Sequence, residues 1–210
     1  MGKLDLKKDL KYLYSPSAQR VDVVDVPEFP FLMIDGAIET GKMPGTSPRF
    51  QENLQALYGI AYTLKFLVKQ RKEQPVDYPV MALEGLWWVE DGQFNIRVGG
   101  NWHYTVMILQ PELVTAEVFA EGLSLLRKKK GEQETFGRLR LERFREGLCV
   151  QTLHVGPYAT EPATVDRMEN FAKENGFTMC HKHHEIYMGN PLRADPAKLK
   201  TILRHPVEKK

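Results

Sequence analysis

The stretch HKHHEIYMGNP, residues 181–191, places three histidines and a glutamate in what reads as a single β-strand. Side chains alternate across a strand, so His181, His183, Glu185 and Tyr187 share one face, while Lys182, His184 and Ile186 share the other. In this setting Glu185 fits four chemistries: a metal ligand, a catalytic base, a counter-ion for a bound molecule, or a solvated carboxylate. Zinc would accept His181, His183 and Glu185 as ligands. Nothing in the sequence supplies the oriented partners that such ligands need, and no metal or other cofactor is expected.

The surrounding chain must position this strand, and its apolar period switches repeatedly between that of a strand and that of a helix. VDVVDVPEFPFLMIDGAIE is extended and broken by Pro27 and Pro30, and the turn-rich TGKMPGTSPRF follows it. FQENLQALYGIAYTLKFLVKQRK is an amphipathic helix, with Leu54, Leu57, Tyr58, Ala61, Leu64 and Val68 at helical spacing. Next come strands in PVMALEGLWWVE and NWHYTVMILQP, separated by the turn DGQFNIRVGG. TAEVFAEGLSLLRKKKG is a helix whose Lys128, Lys129 and Lys130 complement the C-terminal dipole, with Gly131 as its cap. LRLERF and LCVQTLHVGPY are strands, EPATVDRMENFAKENG is a helix, and the strand quoted first closes the series.

An extended segment, a helix and a glutamate-bearing strand occur twice, which suggests duplicated βαββ units over residues 22–110 and 138–207. The expected fold is α+β and forms one domain over residues 1–210. Its curved antiparallel sheet has helices on one face and a central ligand groove on the other. Glu84 in LEGLWW would match Glu185. Parity puts Glu84, Leu86 and Trp88 on one side of their strand and Met81, Leu83, Gly85, Trp87 and Val89 on the other. The second set suits the face under the helices, so Trp87 is expected in the core. Glu84, Trp88, Glu185 and Tyr187 are then expected to converge on the groove. Aromatic rings there attract flat or cationic molecules, and desolvation raises a carboxylate pKa.

Composition narrows the function. The 210 residues are 42% hydrophobic and 27% charged, as in a soluble globular unit. Lys plus Arg number 29 against 27 Asp plus Glu, which leaves no basic field for a direct nucleic-acid partner. MGKLDLKKDLKYLYSPSAQ lacks the pattern of a signal peptide, and no apolar run is long enough to span a bilayer, so a cytoplasmic protein without a membrane partner is expected. Cys149 and Cys180 have neither CxxC spacing nor the number for a disulfide scaffold, and are expected to be reduced core residues.

HHEIYMGNP followed by PAKLKTILRHPV resembles the C-terminal signature of GyrI-like small-molecule-binding proteins. PVMALEGLWW with WHYTVMILQP is similar to the stand-alone subgroup of that family, and the resemblance runs from about Val24 onward. It implies two SHS2-type βαββ repeats around a central groove, with a glutamate at the position of Glu185 contacting the ligand. It also implies that some stand-alone members hydrolyse the cyclopropane of yatakemycin-like DNA alkylators inside an aromatic cage, while others only bind xenobiotics. No helix-turn-helix is seen before the domain.

Opening a spiro-cyclopropane conjugated to a dienone requires a flat slot, a base for water, and a donor for the oxygen that becomes a phenol. Glu185 is the expected base. Tyr187 and Trp88 are expected to form the slot, with Glu84, Tyr58, Trp102 and Tyr104 beside them. His103, His183 and Tyr58 are candidate donors. Tyr58 sits on an amphipathic helix, where packing is the commoner fate of a tyrosine. The expected ligands are hydrophobic planar or cationic small molecules.

Overall fold

The alternating periods resolve into short elements at the N-terminus and a sheet of long strands. A computed structural model describes residues 2–90, 94–98, 100–189 and 194–209. The first elements are β1 (Gly2–Lys3), α1 (Leu6–Asp9) and α2 (Lys11–Tyr14). They lead into β2 (Asp22–Ala37), α3 (Pro48–Lys69), β3 (Val76–Asp77), β4 (Leu83–Trp88) and β5 (His103–Leu109). After α4 (Ala116–Lys130) come β6 (Arg140–Val155), α5 (Glu161–Glu174), β7 (Phe177–Met179), β8 (His183–Tyr187) and β9 (Lys200–Lys209). With the short β3 and β7 set aside, the order strand, helix, strand, strand is seen in β2-α3-β4-β5 and in β6-α5-β8-β9. Residues 91–93 and 99 of the expected turn, and Asn190 and Pro191 of the C-terminal motif, lie outside the described residues.

Caps explain where the helices begin. Ser47 Oγ accepts from Phe50 N at 3.0 Å, and Pro48 opens α3. Leu57, Ile60, Ala61, Leu64 and Val68 then bury one stripe of that helix. Thr115 caps α4, and Gly131 ends it at φ +79°.

The main sheet runs β6-β2-β5-β4-β8-β9-β7, and β6 pairs with β9 as well, so six strands close on themselves. Every pairing in it is antiparallel. Directly paired residues share a face. The register therefore gives an outer face with Leu32, Ile34, Tyr104, Val106, Trp87, Glu185 and Leu203, and an inner face with Phe31, Met33, Thr105, Leu86, His184 and Arg204. Helices α3 and α5 both lie on the outer face. Phe50 of α3 meets Tyr104, and Met168 and Ala172 of α5 pack with Val150 and Leu203. No helix among the described residues is long and apolar enough to cross a membrane.

Three elements differ from expectation. β2 runs unbroken through Pro27 and Pro30, and the Pro30 carbonyl accepts from Gln110 N at 2.9 Å. A proline lacks only the donor, so a strand tolerates it where no ladder N–H is required. The segments LRLERF and LCVQTLHVGPY are one strand, β6. Glu146 and Gln151 of β6 both bond Arg204, although an odd separation would send them to opposite faces of a regular strand. Gly147, at φ +78°, resets the alternation between them. The strand expected to begin at His181 starts at His183 as β8, and His181, at φ +58°, sits in the break between β7 and β8.

The inner face holds a chain of buried charges. His184 lies 3.0 Å from Glu84 through Nε2 and 2.9 Å from Glu146 through Nδ1. Arg204 joins Glu146 at 3.2 Å, donates to Gln151 and donates to the Leu13 carbonyl, while the Tyr14 hydroxyl donates to Glu84 at 2.6 Å. Burial opposes the His184 imidazolium, but Glu146 and Glu84 outweigh it and raise the pKa to about 9. Burial likewise works against the Glu146 carboxylate, yet His184 and Arg204 pull it down to about 2. Two carboxylates and two cations thus balance, and α2 is tied onto the inner face.

Each shift sets one limb of the stability profile. The Glu146 contribution is present above its unfolded value of 4.5 and is lost as pH falls toward 2. The His184 contribution is complete below 6.5 and is lost as pH rises through about 9. Urea midpoints are therefore expected to peak between these limbs. Glu146→Gln, measured at pH 6, should cost about 3–5 kcal/mol because it leaves buried cations short of a partner. A midpoint equal to that of the parent would remove this network from the stability account.

Candidate functional site

The outer face between α3 and α5 is where titratable and aromatic side chains gather without saturating one another. Gly85 of β4 pairs with Glu185 of β8, Trp87 pairs with His183, and Leu83 pairs with Tyr187. Glu185 is 8% exposed, and its Oε1 is 3.3 Å from His183 Nε2, which has no aligned hydrogen bond. Burial raises the Tyr187 hydroxyl well above its usual range, and the neighbouring Glu185 carboxylate adds to the shift. Trp87 Nε1 donates to the Tyr187 hydroxyl at 3.0 Å.

Aromatic rings gather around Trp87, His183 and Tyr187 on this face. Trp87 packs against Phe50 at 5.7 Å and Trp102 at 5.9 Å between ring centroids. Phe94 stacks on His183 at 5.5 Å with planes 15° apart, and touches Trp102 at 5.1 Å. Tyr158 meets Tyr187 edge-on at 6.1 Å, with its hydroxyl pushed up to about 12 by burial and by Glu161 and Glu185. Arg97 reaches across to α5, donating to both Asp166 oxygens at 2.7 and 2.6 Å and to the Pro162 carbonyl. A flat guest would meet π-faces on several sides, with one carboxylate among them.

A second carboxyl sits beside the first. Glu161 opens α5 and is 1% exposed, and its Oε1 has no hydrogen-bond partner. Burial and the Glu185 charge push its pKa up to about 9. His154 anchors the nearby turn through Thr164 at 2.8 Å, and burial lowers its pKa.

The expected site residues divide between the two faces. Glu185, Tyr187, His183 and Trp102 come together, and Trp87 joins them in place of Trp88. Glu84 pairs with Ile186, not Glu185, so it faces the interior, fully buried in the His184 network. Trp88 also faces the inner side, where it stacks on His103 at 5.8 Å and carries Lys182 Nζ 3.4 Å above its ring. The expected convergence of Glu84 and Trp88 with Glu185 and Tyr187 therefore fails. Glu185, His183 and Tyr187 lie on the same face as the helices. Tyr104 is a core residue, held by Asn53 at 2.9 Å, and Tyr58 stacks on Tyr62 along α3.

The zinc grouping is not assembled either. His181 is turned to the surface beside Glu208 at 3.7 Å, whereas His183 is buried. The donor atoms of Cys180, His181 and Glu208 lie within 4.8 Å of one another at the surface. Cys149 is buried and Cys180 half-buried, and both are free.

A sequence profile of the GyrI-like small molecule binding domain matches residues 19–208. The chain belongs to the GyrI-like family. Among solved structures, an uncharacterized conserved protein from Listeria innocua is 40% identical, with a TM-score of 0.88 over 98% of this chain and 100% of its own. Two structures described as hydrolases from Listeria innocua are 38% and 39% identical, with TM-scores of 0.81 and 0.84, and each covers 98% of this chain and 100% of its own. No curated protein matches. Phe94 and Tyr158, which pack on His183 and Tyr187, and Glu161 beside them are residues that the sequence did not single out, whereas Trp87 is the core residue it expected.

Gly85 lets this groove close. A Cβ built there would lie 2.8 Å from Trp87 Nε1 and 3.2 Å from the Tyr187 hydroxyl. Gly85→Ala is expected to break their hydrogen bond, to cost about 1–3 kcal/mol of stability, and to weaken binding of a planar aromatic ligand. Trp88→Ala should leave that affinity unchanged. Thermal melts and ligand titrations of both variants check this, and the reverse pattern would return the groove to the inner face.

Proposed function

We propose that the outer-face groove binds a flat hydrophobic or cationic small molecule and hydrolyses a strained electrophile held there, namely the cyclopropane of yatakemycin-type DNA alkylators. The observation that carries this reading is Glu185, a nearly buried carboxylate 3.3 Å from His183 and on the same sheet face as Trp87 and Tyr187. The family match supports binding, and the hydrolases at 38% and 39% identity support turnover.

In this reading Trp87, Trp102, Phe94 and Tyr187 orient the ring system, and Glu185 takes a proton from water as the water oxygen bonds to the methylene carbon. The cyclopropane C–C bond breaks, and its electron pair passes through the ring to the dienone oxygen. Regaining aromaticity and releasing ring strain drive the step, so water is the only co-reactant and no cofactor is required. Orientation within the slot and base catalysis then carry the rate. Free thiols at Cys149 and Cys180 suit a cytoplasmic site of action.

Glu185→Gln preserves shape while removing the base. Mass-spectrometric detection of the water adduct of a cyclopropane-bearing alkylator should show turnover reduced about 10²–10⁴-fold, with binding of the same compound retained. Turnover at the parent rate would exclude Glu185 as the base. Saturable binding to the parent without any adduct would leave a sequestering protein.

A further inference from the structure

We propose that Glu161 is the acid partner of Glu185, carrying the proton that Glu185 lacks and delivering it to the oxygen released by ring opening. The delivery step rests on the hydrolytic reading above, whereas the proton-bearing carboxyl pair does not.

The argument begins with how each carboxyl is surrounded. Glu161 is 1% exposed at the start of α5, and its Oε1 has no hydrogen-bond partner among the described residues. The start of α5 is held over the row Tyr187, Thr201 and His154, which pair across β8, β9 and β6. His154 meets Thr160 and Thr164 on either side of Glu161, and Tyr158 lies 6.1 Å from Tyr187. Glu185 is the next residue of β8 on that face. Thr201 Oγ1 also has no aligned hydrogen bond. Of the described cations around α5, Arg97 spends its guanidinium on both Asp166 oxygens and the Pro162 carbonyl, and Arg167 donates to the Ala18 carbonyl and Thr152. His154, on β6, points its ring nitrogens at Thr164, Thr160 and the Pro157 carbonyl.

Two carboxyls in a dry groove do not both ionise readily, because each charge raises the cost of the other. Their surroundings decide which keeps the proton. Glu185 retains some exposure and has His183 Nε2 at 3.3 Å, whereas Glu161 has neither. Amide dipoles at the start of α5 favour an ionised Glu161, but this term is worth only about 0.3–2 kcal/mol. Burial and the Glu185 charge outweigh it, consistent with the pKa of about 9.

The pair then matches what ring opening needs. Water loses a proton to Glu185 as the C–O bond forms, and the C–C pair moves to the dienone oxygen. That oxygen takes the Glu161 proton and becomes a phenol. Glu185 is left protonated and Glu161 ionised, and one proton passed between them through water after product release restores the starting state. The net change is one water added across the broken C–C bond.

The test begins with the full-length protein labelled with ¹³C at the glutamate carboxyls and titrated by NMR. One resonance should titrate near 9, vanish in Glu161→Gln and fall toward the ordinary carboxylate range in Glu185→Gln. A Glu161 resonance that titrates in the ordinary range would overturn the pair whatever the activity. Kinetics with a series of spiro-cyclopropyl dienones then tests delivery. Glu161→Gln should lower turnover about 10²-fold, lose the alkaline fall in the rate profile, and hurt most the substrates that yield the least acidic phenols. An equal loss across the series, or none, would overturn the donor role. A parent that never turns over would refute the hydrolytic reading and the donor role together, while the titration still decides the pair.

Discussion

The clamp on His184 is the interaction on which the outer groove depends. Glu84 and Glu146 hold its two ring nitrogens at 3.0 and 2.9 Å inside the closed sheet, and Arg204 completes the charge balance. Because neighbouring strand residues face opposite ways, anchoring His184 inward commits His183, Glu185 and Tyr187 outward. A slip of β8 by one residue would carry Glu185 into the interior and turn a buried imidazolium out of its carboxylate cage. Leaving buried charges unpaired is far more costly than losing an exposed ion pair. The inner network therefore acts as a register lock for a site to which it contributes no side chain.

The two faces of β8 handle charge in opposite ways. Inside, each carboxylate has a cation beside it. Glu146 has His184 and Arg204, and Glu84 has His184 and the Tyr14 hydroxyl. Outside, among the described residues, Glu161 has no cation beside it and one unpartnered oxygen, and Glu185 has the His183 imidazole at 3.3 Å. Buried groups that satisfy one another are held in one state. Buried groups that do not are poised to change protonation or to accept a guest. What separates Glu84 from Glu185 is the charge network of His184 and Arg204 on the inner face, and not burial, since both carboxylates are buried.

The sequence carried the elements well and their lateral arrangement poorly. Helical spacing in Leu57, Leu64 and Val68 located α3, and Thr115 and Gly131 marked the ends of α4. Parity also sorted β4 correctly within itself, with Trp87 toward the helices and Glu84 away from them. What parity cannot supply is which residue of β8 faces which residue of β4. Joining Glu84 to Glu185 by analogy was therefore off by one position, and Glu185 and Tyr187 were placed with Glu84 and Trp88 on the side away from the helices when they share the face of Trp87. The prolines of β2 misled because their missing donors were judged without knowing where the ladder would need them. The break at His181 rests on one left-handed residue with no glycine to announce it. Glu161 was hidden by its position, since an acidic residue in the first turn of a helix is what helix electrostatics favours anyway.

The recognition chemistry follows from how many charges the groove carries. Two ionised carboxylates would attract cations strongly and repel the electron-rich oxygen of a dienone. One carboxylate beside one protonated carboxyl presents an acceptor at one point and a donor at another, which suits a neutral, polarised electrophile lying flat between rings. A permanently cationic aromatic guest would still find Glu185, and its charge would also favour release of the Glu161 proton by the same coupling that now retains it. On the proposed reading the site would hold both ligand classes, but only the neutral electrophile would leave the acid in place. Binding and turnover would part on the charge of the guest rather than on its shape.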